Sequence, residues 1–172
     1  MSFEGLDAGS ILAGADALSR PAEEYVNSAD VESMWVMKAI EFADVHYNLI
    51  SSVDPKLLRL TKEDDDRIYH TFKYQFPNFC IDNITIESLK DDNAKEKWRF
   101  FCEAFKDMED YSYGTLLRLN SQKEYTEDNS ILVTRIQFLA VEIARNRQGF
   151  NDSTYQAKSI VTPDVAQIKL DS

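Results

Sequence analysis

Three polar groupings contain the residues best suited to chemistry or recognition. Arg135, Glu142 and Asn146 fall on one flank of a helical wheel, with Glu142 one turn from Asn146 and Arg135 two turns back. Such a line either bridges to a neighbouring helix or borders a partner surface. Arg145-Asn146-Arg147 forms a cationic helix end on an acidic chain. These arginines either complement the helix C-terminus or grip a carboxylate or carbonyl on a partner. Tyr111, Tyr113 and Arg118 surround Gly114 as a small aromatic–cation cluster. Those residue types are favoured as binding anchors, and Tyr is equally suited to the edge of a bundle. The candidate partner-contact positions are therefore Tyr113, Arg118, Arg135, Arg145, Asn146 and Arg147.

Reactive chemistry finds fewer candidates. The chain has five glycines and neither a Gly-x-x-x-x-Gly-Lys loop nor a dinucleotide fingerprint, so no loop offers the backbone amides that cradle phosphates. Its two histidines, His46 and His70, lack a second ligand at helical spacing. His46 falls on an apolar helix side and reads as a satisfied core histidine; His70 reads as solvated. Glu63-Asp64-Asp65-Asp66 lacks the alternating donors and turn glycine of a calcium loop. It reads instead as the first turn of a helix, where anions complement the backbone dipole. No Gly-x-Ser-x-Gly elbow is present, and neither Cys80 nor Cys102 has an adjacent cation that singles out a thiolate. The expectation is a protein that acts by binding, without catalysis, metal or cofactor.

Charge narrows the partners. Nineteen Lys and Arg against thirty Asp and Glu give a net charge of −11. That field opposes nucleic acid and anionic membranes, and it steers basic proteins toward the surface. Cys80 and Cys102 sit in apolar aromatic contexts and read as buried reduced thiols of a cytosolic protein. The first residues have neither a basic start nor a long apolar run, and no stretch approaches the ~20 apolar residues of a membrane span.

The elements that must position these residues are mostly helical. Residues 1–9 read as a flexible, frayed start, followed by a short helix from Ser10 to Leu18 that Pro21 ends. Asp30 to Ser51 is apolar nearly all round, the pattern of a helix in the middle of a bundle. Asp54-Pro55 restarts the chain as cap and first turn. Thr61 with Asp64 resembles a capping box opening a helix to Phe76, with Ile68, Tyr69, Phe72 and Phe76 inward and Pro77 beyond. Phe79-Cys80-Ile81 reads as a short strand or an extended link. Asn93 with Glu96 caps the next helix, whose stripe is Trp98, Phe101, Cys102 and Phe105. Tyr111 to Asn120 reads as an irregular or extended piece. The last helix is expected from Glu127 to Arg147, with Leu132, Ile136, Leu139 and Ile143 as its stripe and Gly149 as its cap. The expected fold is a mainly α single-domain bundle of about five to six helices with room for one short β pair. Its domain covers 10–150, and 151–172 forms a flexible or loosely docked tail.

Four ordered blocks carry a family resemblance: Ile50 to Pro55; Ala94 to Arg99; Tyr113 to Leu119; and Arg135 to Phe138 with Glu142 to Arg147. Over roughly residues 15–152 the chain resembles the eukaryotic polysaccharide biosynthesis domain-containing protein 1 family. Phe100, Asn120 and Gln148 depart from the residues usual there. The resemblance implies a small, mainly helical cytoplasmic protein, and a monomer is expected. It also implies a chaperone role: binding the GTP-binding domain of newly made translation elongation factor 1-alpha as it leaves the ribosome, with ribosome or nascent-chain-associated factors nearby. The rival readings are a ribosome-associated adaptor without chaperone activity and an enzyme of polysaccharide synthesis.

Overall fold

The computed structural model describes residues 29–161. The expected helix Ser10–Leu18 and the start at residues 1–9 lie outside the described residues, as does the end of the chain from 162.

Helix α1 spans Ala29–Ser52. Asp54 then accepts a hydrogen bond from the Lys56 amide at 3.1 Å, and Pro55 opens a short 3-10 turn. Helix α2 covers Asp65–Gln75 and is capped by Phe76, whose amide donates to the Phe72 carbonyl immediately before Pro77. The acidic run does stand at this helix start, but Thr61 lies outside the helix. The Asp65 carboxylate is buried and gathers the amides of Leu60 at 2.9 Å and Thr61 at 2.8 Å, which folds the preceding turn onto α2. Residues 79 and 80 form an extended link rather than a strand. A single turn, α3 (Glu87–Lys90), leads into α4 (Asp92–Glu103). Asp91, not Asn93, caps α4 by accepting the Ala94 amide at 2.7 Å.

Two strands follow, β1 (Gly114–Arg118) and β2 (Ser130–Thr134), paired antiparallel from Gly114 with Thr134 to Arg118 with Ser130. Helix α5 is Arg135–Gln148, and α6 is Asp152–Val161. The last long helix therefore starts eight residues later than the sequence pattern suggests. Thr134 decides the start: its hydroxyl accepts the Gln137 amide while the Gln137 side chain accepts the Thr134 amide, a reciprocal capping box. Upstream of it, Leu132 and Val133 alternate faces as strand residues. Gly149 ends α5 in the left-handed region at φ 86°, the conformation that favours glycine.

The molecule is thus mainly helical, with six helices and one short β pair among the described residues. The sheet separates two apolar layers. Leu117 and Val133 face the main core, built with Phe72, Trp98, Phe101 and Ile143. Leu116 and Leu132, cross-strand partners, face Ala39 and Ala43 of α1. In the main core Phe76 and Trp98 stack at 4.2 Å, and the indole N–H donates to the Ser88 carbonyl at 3.1 Å.

Two placements differ from the sequence pattern. Helix α1 flanks the sheet instead of occupying the middle: Met34, Met37 and Val45 are exposed. The central helix is α5, in which every residue from Ile136 to Asn146 is buried, Glu142, Arg145 and Asn146 included. Residues 152–161, expected in a loose tail, are helical, and α6 packs against α1. Cys102 is partly buried as expected, whereas Cys80 is exposed; both are free thiols.

Candidate functional site

Charge inside the protein collects around Glu142. Strand β1 delivers Arg118 at its last position, α1 delivers His46, and α5 delivers Glu142, Arg145 and Asn146. Tyr125 comes from the β1–β2 connection and Asn151 from the turn between α5 and α6. Glu142 accepts from Arg145 Nη1 at 2.7 Å and from Asn151 Nδ2 at 3.0 Å, with Arg118 Nη2 at 3.4 Å. Arg145 also donates to the carbonyls of Ile81 at 2.7 Å and Leu119 at 3.0 Å. Arg118 donates to the Ser121 carbonyl at 3.0 Å and to Asn151 Oδ1 at 2.7 Å. Backbone carbonyls thus share with one carboxylate the work of holding two buried guanidinium groups.

Titration follows from this packing. Burial pushes the Glu142 carboxyl up, but the charges of Arg118 and Arg145 outweigh it and hold it well below the usual carboxylate range. Burial lowers the His46 imidazole to about 4; Glu142 pulls it up, and Arg118 and Arg145 push it further down. Burial, with Glu142 adding to it, keeps the Tyr125 phenol protonated. The hydroxyl of Tyr125 and His46 Nδ1 share a hydrogen bond at 2.8 Å, which leaves Nε2 as the imidazole's other nitrogen. That nitrogen lies 3.4 Å from Glu142 Oε2 without hydrogen-bond geometry, so His46 is a neutral neighbour of the carboxylate and not its ion-pair partner. A Tyr–His–Glu line has the types of a proton relay, yet His46, Tyr125 and Glu142 are all sealed from solvent. The arrangement positions strands and helices; it offers no atom to a substrate.

A second site lies on the surface. Between the first half of α1 and the entry to β1 is a groove of about 400 Å³ whose walls include Trp35, Phe42, Tyr113 and Arg135. The Trp35 and Tyr113 rings meet edge-on at 6.1 Å. Arg135 lies over the Phe42 ring at 4.3 Å and donates through Nε to Thr115 Oγ1 at 3.1 Å. Half-burial lowers the pKa of this guanidinium, while Asp110 and Tyr113 draw it back up. Asp110 borders the groove with φ 61°, a left-handed conformation that Asp tolerates better than most residues.

The six sequence-selected positions therefore divide. Tyr113 and Arg135 come together at the groove. Arg118, Arg145 and Asn146 are corrected from surface anchors to core residues, because each is at most 2% exposed and committed to interior partners. Arg147 is at the surface, but it pairs with Asp66 at 2.5 Å and lies over the Tyr69 ring. The flank of Arg135, Glu142 and Asn146 is split for the same reason: the last two meet through Asn151, and Arg135 faces the groove.

Among the described residues, no group of three His, Cys, Asp or Glu side chains is placed to hold a metal, and no helix is long and apolar enough to cross a membrane. A family model described as PBDC1 protein matches residues 31–156, which include the interior charge cluster and the groove. The chain belongs to the PBDC1 family. Protein PBDC1 of Homo sapiens is 52% identical over 148 residues, covering 86% of this chain and 63% of that protein. The match thus spans less than two thirds of the human protein's length. The Saccharomyces cerevisiae PBDC1 homolog is 43% identical over 136 residues, covering 76% of this chain and 92% of that protein. A solution NMR structure of the S. cerevisiae protein yst0336 superposes with a TM-score of 0.71 at 39% identity, covering 80% of this chain and 97% of that one.

Sequence reasoning missed several residues of this PBDC1-family fold. Tyr125 and Asn151 belong to the interior cluster, and Trp35 and Phe42 to the groove. The aromatic pair was visible in the α1 pattern only as generic core. Asn151 carries no periodic signal at all, since it lies in the turn after Gly149.

Proposed function

We propose that this chain is a dedicated, ATP-independent co-translational chaperone that binds the nascent GTP-binding domain of translation elongation factor 1-alpha and supports its folding. The observation that carries this reading is PBDC1-family membership over residues 31–156, the family whose resemblance implies that client. The net charge of −11 supports it, because an acidic surface steers encounter with a basic client. Binding a partly folded domain better than its aggregating alternatives is sufficient for a holding role and needs no reacting group. Tyr113 and Arg135 at the groove supply the kinds of side chain that anchor an interface.

The test is affinity capture of the full chain from cells with ribosome–nascent-chain complexes retained. Enrichment of elongation factor 1-alpha, together with loss of its solubility when the chain is depleted, is the expected result. Ribosome co-sedimentation with unchanged solubility of the factor would favour an adaptor. Saturable micromolar binding of a nucleotide sugar would favour the enzyme reading.

A further inference from the structure

We propose that the outer edge of β2 is a docking site, at which an extended segment of a partner protein, apolar in its middle and flanked by Lys or Arg, adds as a third strand. The inference stands apart from the client reading, because it is drawn from the sheet and its surroundings alone.

Hydrogen-bonded and non-bonded pairs alternate along an antiparallel ladder. The Leu119 amide donates to the Asn129 carbonyl at 2.9 Å, which fixes the phase. Leu117 with Ile131 and Thr115 with Val133 are then the bonded pairs, so Ser130 and Leu132 turn their N–H and C=O groups away from β1. The sheet ends there. It has two strands among the described residues, and no described group hydrogen-bonds these outward amides and carbonyls.

The edge is also reachable. Ser130, Ile131 and Leu132 are half-buried, whereas Thr115 to Arg118 of β1 are buried. The Ser130 hydroxyl oxygen is sealed and unpartnered, so what solvent reaches of this residue is its backbone and Cβ. Exposed strand edges are ordinarily blunted by Lys, Pro or a bulge. β2 reads Ser-Ile-Leu-Val-Thr, with an unbroken register to β1, and has none of these. It therefore presents its backbone groups in the geometry that captures an extended peptide. Ile131 packs toward the main core on one face and Leu132 toward the layer of α1 on the other. An added strand meets an apolar neighbour on both faces, which favours Val, Ile and Thr in its middle.

Charge selects the ends of that strand. Glu124, Glu127 and Asp128 are exposed in the connection leading into β2, and Lys123 is the one cation between Leu119 and Asn129. A second copy would bring the same acids and its own net charge of −11, which opposes self-pairing. A segment ending in Lys or Arg is attracted instead.

The test is amide hydrogen exchange and peptide titration of the isotope-labelled full chain, read by NMR. In the free chain the Ser130 and Leu132 amides exchange fast, while those of Ile131 and Val133 are protected by β1. The probe is the end-blocked peptide Lys-Thr-Val-Thr-Val-Lys. At about ten times its Kd it slows the Ser130 and Leu132 amides by about tenfold and leaves Trp98 unchanged. The same peptide N-methylated at every amide does not slow them, and the version with Glu at both ends binds about threefold or more weakly. Glu127→Lys with Asp128→Lys abolishes that preference. Equal slowing by the N-methylated peptide, equal binding of the Lys-ended and Glu-ended peptides, or shifts confined to Tyr113 and Arg135 would overturn the proposal. Protection of Ser130 and Leu132 in the free chain would also overturn it: lost on dilution it marks a second copy, and retained it marks a segment of this chain already on the edge.

Discussion

Glu142 Oε1 accepts Arg145 Nη1 at 2.7 Å from one turn along the same helix, and neither side chain has any exposure to solvent. This pair lets a polar helix occupy the centre of the protein. Without the carboxylate, α5 would bring Arg145 into the interior beside Arg118 with no counter-charge. Two cations share one anion, so backbone carbonyls are required partners: Ile81 and Leu119 accept from Arg145 and tie two connections to α5, and Ser121 accepts from Arg118.

Glu142→Gln keeps the shape and removes the charge. It leaves two buried guanidinium groups without their anion, and breaking such a buried set costs about 3–5 kcal/mol. Urea unfolding should show a large drop in midpoint. A loss under about 1 kcal/mol would mean that carbonyls alone hold the arginines.

Acid should act early on this protein. His46 titrates at about 4 in the fold against 6.5 when unfolded. Between those values the unfolded chain binds a proton that the folded chain refuses, so stability falls as pH falls from 6.5 toward 4. The full effect is about 3 kcal/mol. Glu142, whose folded pKa is depressed, adds stability above its unfolded value of 4.5 that is lost as pH falls below it. Urea midpoints measured from pH 7 to pH 4 should decline, and His46→Gln should flatten the slope between 6.5 and 4.5. An unchanged slope in that variant would place the titration elsewhere.

Much of this was legible in the amino-acid sequence, and the failures share a cause. The α4 stripe of Trp98, Phe101 and Phe105 is buried as its spacing requires, since local periodicity decides a helix face. His46 is a core histidine, as its apolar neighbours imply. The burial of Arg118, Arg145 and Asn146 was not legible, because each is stabilised by residues 26 to 64 positions away or by a turn with no pattern of its own. A rule that puts arginine outside holds until a second segment supplies a carboxylate and carbonyls. The start of α5 was misplaced for the opposite reason: Leu132 fits both a helical and an alternating pattern, and only the Thr134–Gln137 box separates them.

Arg145 and Arg135, two of the three arginines of α5, therefore answer to different assays. Arg145→Ala removes three interior hydrogen bonds and leaves Glu142 with a weaker set, so it should destabilise by several kcal/mol, about 3–5. Arg135→Ala loses a ring contact and one hydrogen bond at the groove, about 1 kcal/mol. Binding to the elongation factor domain, measured on folded protein, should weaken with Arg135→Ala far more than its small stability loss accounts for. Equal binding by wild type and Arg135→Ala would remove the groove from the client surface.

Asn151 ties the start of α6 to the interior charge cluster. Its Oδ1 accepts Arg118 Nη2 at 2.7 Å, and its Nδ2 donates to Asn146 Oδ1 at 2.7 Å and to Glu142 Oε2 at 3.0 Å. One amide thus links β1 to Glu142 and Asn146 on one flank of α5 immediately before α6 begins. Asn151→Ala would strand a buried guanidinium nitrogen and a carboxylate oxygen, costing about 2–4 kcal/mol. The loss should first appear locally, because α6 is held at its start by this residue and along its length by contact with α1. Hydrogen exchange should show faster exchange across 152–157 in Asn151→Ala than in wild type, with the Phe101 and Ile143 amides less affected. Uniform acceleration through the core would mean instead that the amide supports the whole domain and not the docking of α6.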